Sequence, residues 1–265
     1  MKKTALTLII FALIVRLSSA LTPGDLSQVT FQQHPGQQLS PDLRFQDEGK
    51  RSIALGELFG KQPTILVLGY YRCPMLCTMI NDGLINTLQN LQASVGRDFQ
   101  VIDLSIDPTE TSNAAAEKKA IYLRRYGRSG AATGWHCLVG DANAISRIAD
   151  ELGYRFVYDP ETRQYAHPSG IVVLTPQGKI SRYLFGATFD AGELRDAIVA
   201  AKQGKSTSVL SQLFLLCYHY NPIAGKYGAI ILSALRVASL GFVVLIGWWV
   251  FSMSRRPAKE AAPTG

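Results

Sequence analysis

The sequence predicts an α/β domain, and three observations carry that reading. Apolar runs of strand length recur at 64–69, 100–106, 154–158, 170–174 and 179–185. Stretches with apolar residues every three or four positions lie between and after them, at 75–94, 112–126, 142–152 and 190–202. The last two apolar runs are separated by Thr175-Pro176-Gln177-Gly178, with Pro and Gly where a tight reversal needs them, so they close a hairpin.

The first run, Thr64-Ile65-Leu66-Val67-Leu68-Gly69, leads through a short junction into the helix expected over 75–94. The run at 100–106 is followed by the helical pattern of 112–126, and that of 142–152 leads into the run at 154–158. The final helix opens Asp190-Ala191-Gly192-Glu193, a capping-box pattern. Strand and helix in alternation, then a hairpin and a last helix, is the order of a thioredoxin-like sheet with helices on both faces.

The 265 residues allow one ordinary domain with appendages, and 47% hydrophobic with 18% charged residues is enough to bury a core. The two ends read as membrane signals. Residues 1–20 carry Lys2 and Lys3, an apolar run at 4–15 and the small residues Ser18-Ser19-Ala20, the pattern of a cleavable export signal. The run is too short to span a bilayer, which takes about 20 residues. Residues 227–253 are apolar except for Arg236, contain Trp248-Trp249 and precede Arg255, Arg256 and Lys259. This predicts a single transmembrane helix, with 254–265 as a cytoplasmic tail and the domain of 21–205 on the periplasmic or extracytoplasmic side, joined by a connector at 206–226. Arg236 sits near the outer end, where it can snorkel. The formal charge of +7 drops to +4 once Lys2, Lys3 and Arg16 leave with the signal, so nucleic acid is not an expected partner.

Chemistry concentrates after the first strand, in Tyr70-Tyr71-Arg72-Cys73-Pro74-Met75-Leu76-Cys77. Cysteines at i and i+4 at a helix start share a face, and the positive end of the helix favours thiolate, the form that attacks disulfides and binds metals. Pro74 suits a first turn because its missing N–H costs nothing there. Two residues separate the cysteines of a thioredoxin-type exchange pair. Here three do, which opens room for an ion, so metal capture and exchange both stand. Two thiolates suit Cu(I), and an added imidazole makes a soft three-coordinate site. Four histidines are available. His34 stands in a polar arm, His136 adjoins Cys137 where neighbouring strand residues face opposite ways, and His219 lies beside Cys217 next to the membrane. His167, in Ala166-His167-Pro168-Ser169-Gly170, is placed to project over the strand ends where the Cys73 helix begins.

The cysteine block, the segment Ser105-Ile106-Asp107-Pro108-Thr109-Glu110-Thr111, and His167 with the later Leu174-Thr175-Pro176-Gln177-Gly178 resemble the Sco (SenC) family of membrane-anchored copper proteins over about residues 40–204. The resemblance implies a thioredoxin-like fold and one copper per chain held by Cys73, Cys77 and His167. It also implies delivery of that copper to the CuA-bearing subunit of cytochrome c oxidase, or reduction of that subunit's cysteines. Asp107 matches a family acidic position and implies a structural or partner-facing role. The chain departs from the family pattern with Thr78 after the second cysteine, Pro168 after the histidine, and an anchor at the C-terminal end.

Three functional readings follow. In the first, Cys73, Cys77 and His167 form a metallochaperone site. In the second, Cys73 and Cys77 are the redox pair of a thiol-disulfide reductase, itself served by a thioredoxin-like reductant. In the third, a peroxidase of peroxiredoxin type, one cysteine is the nucleophile. Cys137 and Cys217 lie in an oxidising compartment, where a disulfide between them or a second copper site at Cys217 and His219 are the alternatives to unpaired cysteines and an interfacial segment. No Cys-x-x-Cys-His haem attachment occurs.

Overall fold

A computed structural model describes residues 28–73 and 76–206, together with 238, 239, 242, 246 and 248; for Leu76 and Cys77 it describes the backbone alone. The chain divides into two compact units, Met1–Gln212 and Leu213–Gly265. The first carries strands β1 (Thr30–Phe31), β2 (Arg44–Asp47), β3 (Ser52–Ala54) and β4 (Thr64–Gly69), helix α1 (Leu76–Gln89), β5 (Gln100–Ser105) and α2 (Ser112–Tyr126). It continues with β6 (Trp135–Val139), α3 (Ala142–Leu152), β7 (Tyr154–Arg155), β8 (Val157–Asp159), β9 (Gln164–Ala166), β10 (Gly170–Leu174), β11 (Ile180–Phe185) and α4 (Ala191–Lys202).

Seven strands form one sheet in the order β11-β10-β4-β5-β6-β2-β3. Its centre, β4, β5 and β6, is parallel, and β10 joins β4 antiparallel with Ile171 opposite Val67. Alternation along β4 sends Ile65 and Val67 into one core and Leu66 and Leu68 into another. The first core packs under α1, α2 and α4 through Ile80, Leu84, Tyr122, Tyr126, Leu194 and Ile198. The second packs under α3 through Ile145, Ile148 and Leu152, and is closed by Leu39, Leu43 and Leu55 from the N-terminal segment. This is a mixed α/β fold with helices on both faces of a central sheet, as the alternation of elements predicts.

Local chemistry sets the ends. Asp141 and Asp190 accept the amides of Ala144 and Glu193, each at 2.8 Å, and cap α3 and α4. The helix expected to reach residue 94 stops at Gln89 because the Arg128 guanidinium takes the carbonyls of Gln89 at 2.7 Å and Leu91 at 2.6 Å. The expected strand over 154–158 is two strands in two small sheets, β7 pairing with β1 and β8 with β9. Burial forces that break: Tyr154 points wholly inward, whereas Tyr158 lies on an exposed hairpin.

The signal of 1–20, most of the connector at 206–226 and the tail at 254–265 lie outside the described residues. So does nearly all of the span expected over 227–253, whose few described positions are helical. Among the described residues no helix is long and apolar enough to cross a membrane.

Candidate functional site

Sheet topology gathers three loops at one end. β4 and β5 are parallel with Gly69 opposite Ser105, so the chain leaves both strands side by side, and the Ile106 amide donates to the Gly69 carbonyl at 2.7 Å. β10 runs the other way, so its approach, Ala166 to Ser169, arrives where β4 ends. This is the carboxyl end of the central strands, where open α/β sheets place ligands.

Cys73 lies in the turn after β4, 8% exposed, with its amide donating to the Tyr70 carbonyl at 3.2 Å. Its own backbone is not helical, and the described residues of α1 begin at Leu76. The backbone of Cys77 stands in the first turn of α1; its side chain, with Pro74 and Met75, lies outside the described residues.

His167 is 6% exposed at the end of the β8–β9 hairpin. Tyr70 links it to the cysteine turn: the Tyr70 ring meets the imidazole edge-on at 6.0 Å and the Tyr165 ring at 5.4 Å. Nδ1 of His167 lies 2.8 Å from the Tyr154 hydroxyl and 3.0 Å from the Pro168 carbonyl. A carbonyl only accepts, so this geometry suits a proton on Nδ1. The Tyr154 hydroxyl has its own carbonyl acceptors, Leu68 at 3.0 Å and Pro168 at 3.1 Å. The resulting tautomer puts the lone pair on Nε2, the arrangement by which a neighbouring acceptor prepares a metal-ligating histidine.

Tyr70 thus meets the His167 ring with its own ring and the Cys73 amide with its carbonyl, while the backbone of Cys77 stands in the first described turn of α1. Among the described residues no group of three His, Cys, Asp or Glu side chains is arranged to hold a metal. His34, in what reads as a polar arm, is half-buried with Nδ1 3.2 Å from the Glu151 carbonyl. His136 is half-buried on β6, where burial and then Lys119 lower its pKa. Cys137, its neighbour, is fully buried in the opposite core. No disulfide occurs among the described residues, and Cys217 and His219 lie outside them. Asp107 accepts the Thr109 amide at 2.8 Å and its hydroxyl at 2.7 Å, which shapes the loop after β5.

Three residues that the sequence reading passed over matter here. Tyr154 reads as a strand residue, yet its hydroxyl anchors His167. Glu110, two residues past Pro108, is a buried carboxylate that accepts the amides of Tyr71 and Arg72, each at 2.7 Å. Asp103 hides in an apolar run and sits 2% exposed beside Cys137 and Tyr122. Burial lifts its pKa to about 7, against the lowering effect of Asn81 and Tyr122.

The SCO1/SenC family model matches residues 32–203. The chain belongs to the SCO1/SenC family. Its fold is similar to that of an Aquifex aeolicus VF5 protein whose proposed role is electron transfer, at 25% identity and TM-score 0.56, covering 65% of this chain and 96% of that one. A SCO1/SenC family lipoprotein from Bacillus anthracis str. Ames aligns at 14% identity and TM-score 0.51, over 64% of this chain and 96% of that one. A copper-bound ScoI of Arabidopsis thaliana aligns at 17% identity and TM-score 0.49, over 65% and 98%. Among curated proteins no match was found.

Proposed function

We propose that this SCO1/SenC protein is a membrane-anchored copper metallochaperone. Thiolates of Cys73 and Cys77 and the Nε2 atom of His167 hold one copper, which passes by ligand exchange to the CuA-bearing subunit of cytochrome c oxidase. The observation that carries this reading is the engagement of His167 Nδ1 by Tyr154 and Pro168, at the strand end that leads to Cys73. A proton held on Nδ1 leaves Nε2 as the ring nitrogen that can ligate a metal. Two soft sulfurs with one imidazole fit copper better than a hard cation. Anchoring raises the frequency of encounter with a target in the same membrane. The apolar composition of 227–253 supports an anchor, as do Phe242, Ile246 and Trp248, exposed on helical backbone.

The test is a titration of the reduced full-length protein with Cu(I) and with Cu(II) against a competing chelator, repeated for His167→Ala and Cys77→Ser. One copper per chain, weakened by both substitutions, is the expected result. Absence of copper binding, with disulfide exchange retained, would leave the reductase.

The position of the cysteines at a strand-to-helix junction also favours that second reading. One thiolate would attack a target disulfide, forming a mixed disulfide and expelling the target's other sulfur as thiolate. The second cysteine would then displace the remaining target thiolate and leave a Cys73–Cys77 disulfide for a dithiol reductant to reopen. His167→Ala should spare this exchange.

A further inference from the structure

The turn that presents Cys73 is held from below by a side chain belonging to another loop. Glu110, in the segment between β5 and α2, has no exposed side-chain surface. Its Oε2 accepts the Tyr71 amide at 2.7 Å and its Oε1 the Arg72 amide at 2.7 Å, so both oxygens grip consecutive backbone N–H groups immediately before Cys73. The Ser105 hydroxyl donates to Oε2 at 2.6 Å from the last residue of β5. Above the carboxylate, the Arg72 guanidinium lies 3.7 Å from Oε1 and donates to the Thr109 carbonyl at 3.1 Å. Tyr71 is fixed from its other end, where its hydroxyl lies within hydrogen-bonding distance of the Asp103 and Leu138 carbonyls, at 2.9 and 2.8 Å.

A buried carboxylate is costly unless its partners compensate it, and here two backbone amides of the cysteine turn do so together with the Ser105 hydroxyl and the Arg72 guanidinium. Fold stability alone does not need such an arrangement: a turn on a sheet rim can leave its amides to water. What the carboxylate adds is a fixed path for residues 70–73, and with it a fixed starting point for the Cys73 side chain.

We infer that Glu110 is a positioning residue of the Cys73 site: by clamping the amides of Tyr71 and Arg72 it sets the place of the Cys73 sulfur relative to His167. The inference deepens the copper-binding reading and borrows its readout from it, but a second readout, thiol reactivity, does not depend on copper. Glu110→Gln is nearly isosteric yet turns one acceptor into an N–H donor facing a backbone N–H, so one of the two amides loses its partner.

The experiment compares full-length wild type, Glu110→Gln and Ile198→Val, the last a core trim in α4 that serves as a stability control. Three quantities are measured: Cu(I) affinity by chelator competition, the electron paramagnetic resonance spectrum of the Cu(II) complex, and the alkylation rate of Cys73 by iodoacetamide, resolved by mass spectrometry. For Glu110→Gln the expected results are an affinity roughly tenfold weaker, as for outer-shell partners of metal ligands, an altered spectrum and a changed Cys73 rate. Ile198→Val should lower the melting temperature and change none of them. Wild-type values in Glu110→Gln, or equal changes in Ile198→Val, would overturn the inference. If the wild type itself binds no copper, the chaperone reading falls, and the Cys73 rate decides: a change in Glu110→Gln supports positioning and no change refutes it. Should Glu110→Gln fail to fold, Ser105→Ala, which removes the 2.6 Å bond to Oε2, takes its place with the same criteria.

Discussion

The Tyr154 hydroxyl lies 2.8 Å from Nδ1 of His167 and 3.0 Å from the carbonyl of Leu68, so one oxygen ties the imidazole to the strand that leads to Cys73. Tyr154 is itself 1% exposed and packed against Phe31 at 5.0 Å between ring centroids. Its hydroxyl therefore has little freedom, and the imidazole inherits that rigidity.

Tyr154→Phe keeps the ring and removes this tie. A loss of about 1 kcal/mol in stability is expected, the usual worth of a hydrogen bond. His167 Nδ1 keeps the Pro168 carbonyl, so copper affinity should fall by less than in His167→Ala. Denaturant unfolding and chelator competition check the two effects; a loss as large as that of His167→Ala would show that the Pro168 contact contributes nothing.

Asp103 predicts a dependence of stability on pH. Its carboxyl is raised to about 7 by burial, from 3.8 when unfolded, and its Oδ2 has no hydrogen-bond partner among the described residues. Glu110 raises it further, while Asn81, Tyr122 and Lys118 pull it down. The folded state thus binds the proton more tightly, and the stability this confers is complete below pH 3.8 and lost as pH rises through about 7. The full swing is about 4 kcal/mol at most, from about 1.4 kcal/mol for each pH unit of displacement. Asp103→Asn should flatten the urea-unfolding profile between pH 5 and 8. An unchanged slope in that variant would show that another group titrates.

Gly83 lies inside α1, where an Ala would ordinarily help a helix by about 1 kcal/mol. Here a Cβ would stand 1.9 Å from the Ala187 carbonyl, on the segment leading into α4. Gly83→Ala should therefore reverse the usual sign and destabilise by about 1–3 kcal/mol, the range for overpacking. Thermal unfolding checks the direction.

β4, β5, α2 and α3 were legible because their patterns are local: a continuous apolar run, a 3.6-residue period, an aspartate or threonine cap and a glycine stop; β6, with His136 in its middle, was not among the expected runs. The end of α1 was not, since Arg128, far along the chain, decides it. Nor were β2 and β3, which lie at the sheet rim and read as ordinary polar sequence. In the same way Cys73 and His167 declare themselves by residue type. Their supports, Tyr154 and Glu110, are common residues whose roles arise only when separate strands come together. Asp103 shows the opposite failure, a charge inside a run read as apolar.

X-ray absorption at the copper edge of the Cu(I)-loaded full-length protein reads the atoms around copper directly. The account predicts two sulfur neighbours and one nitrogen, the nitrogen disappearing in His167→Ala. A spectrum with sulfur alone, identical in wild type and His167→Ala, would contradict it.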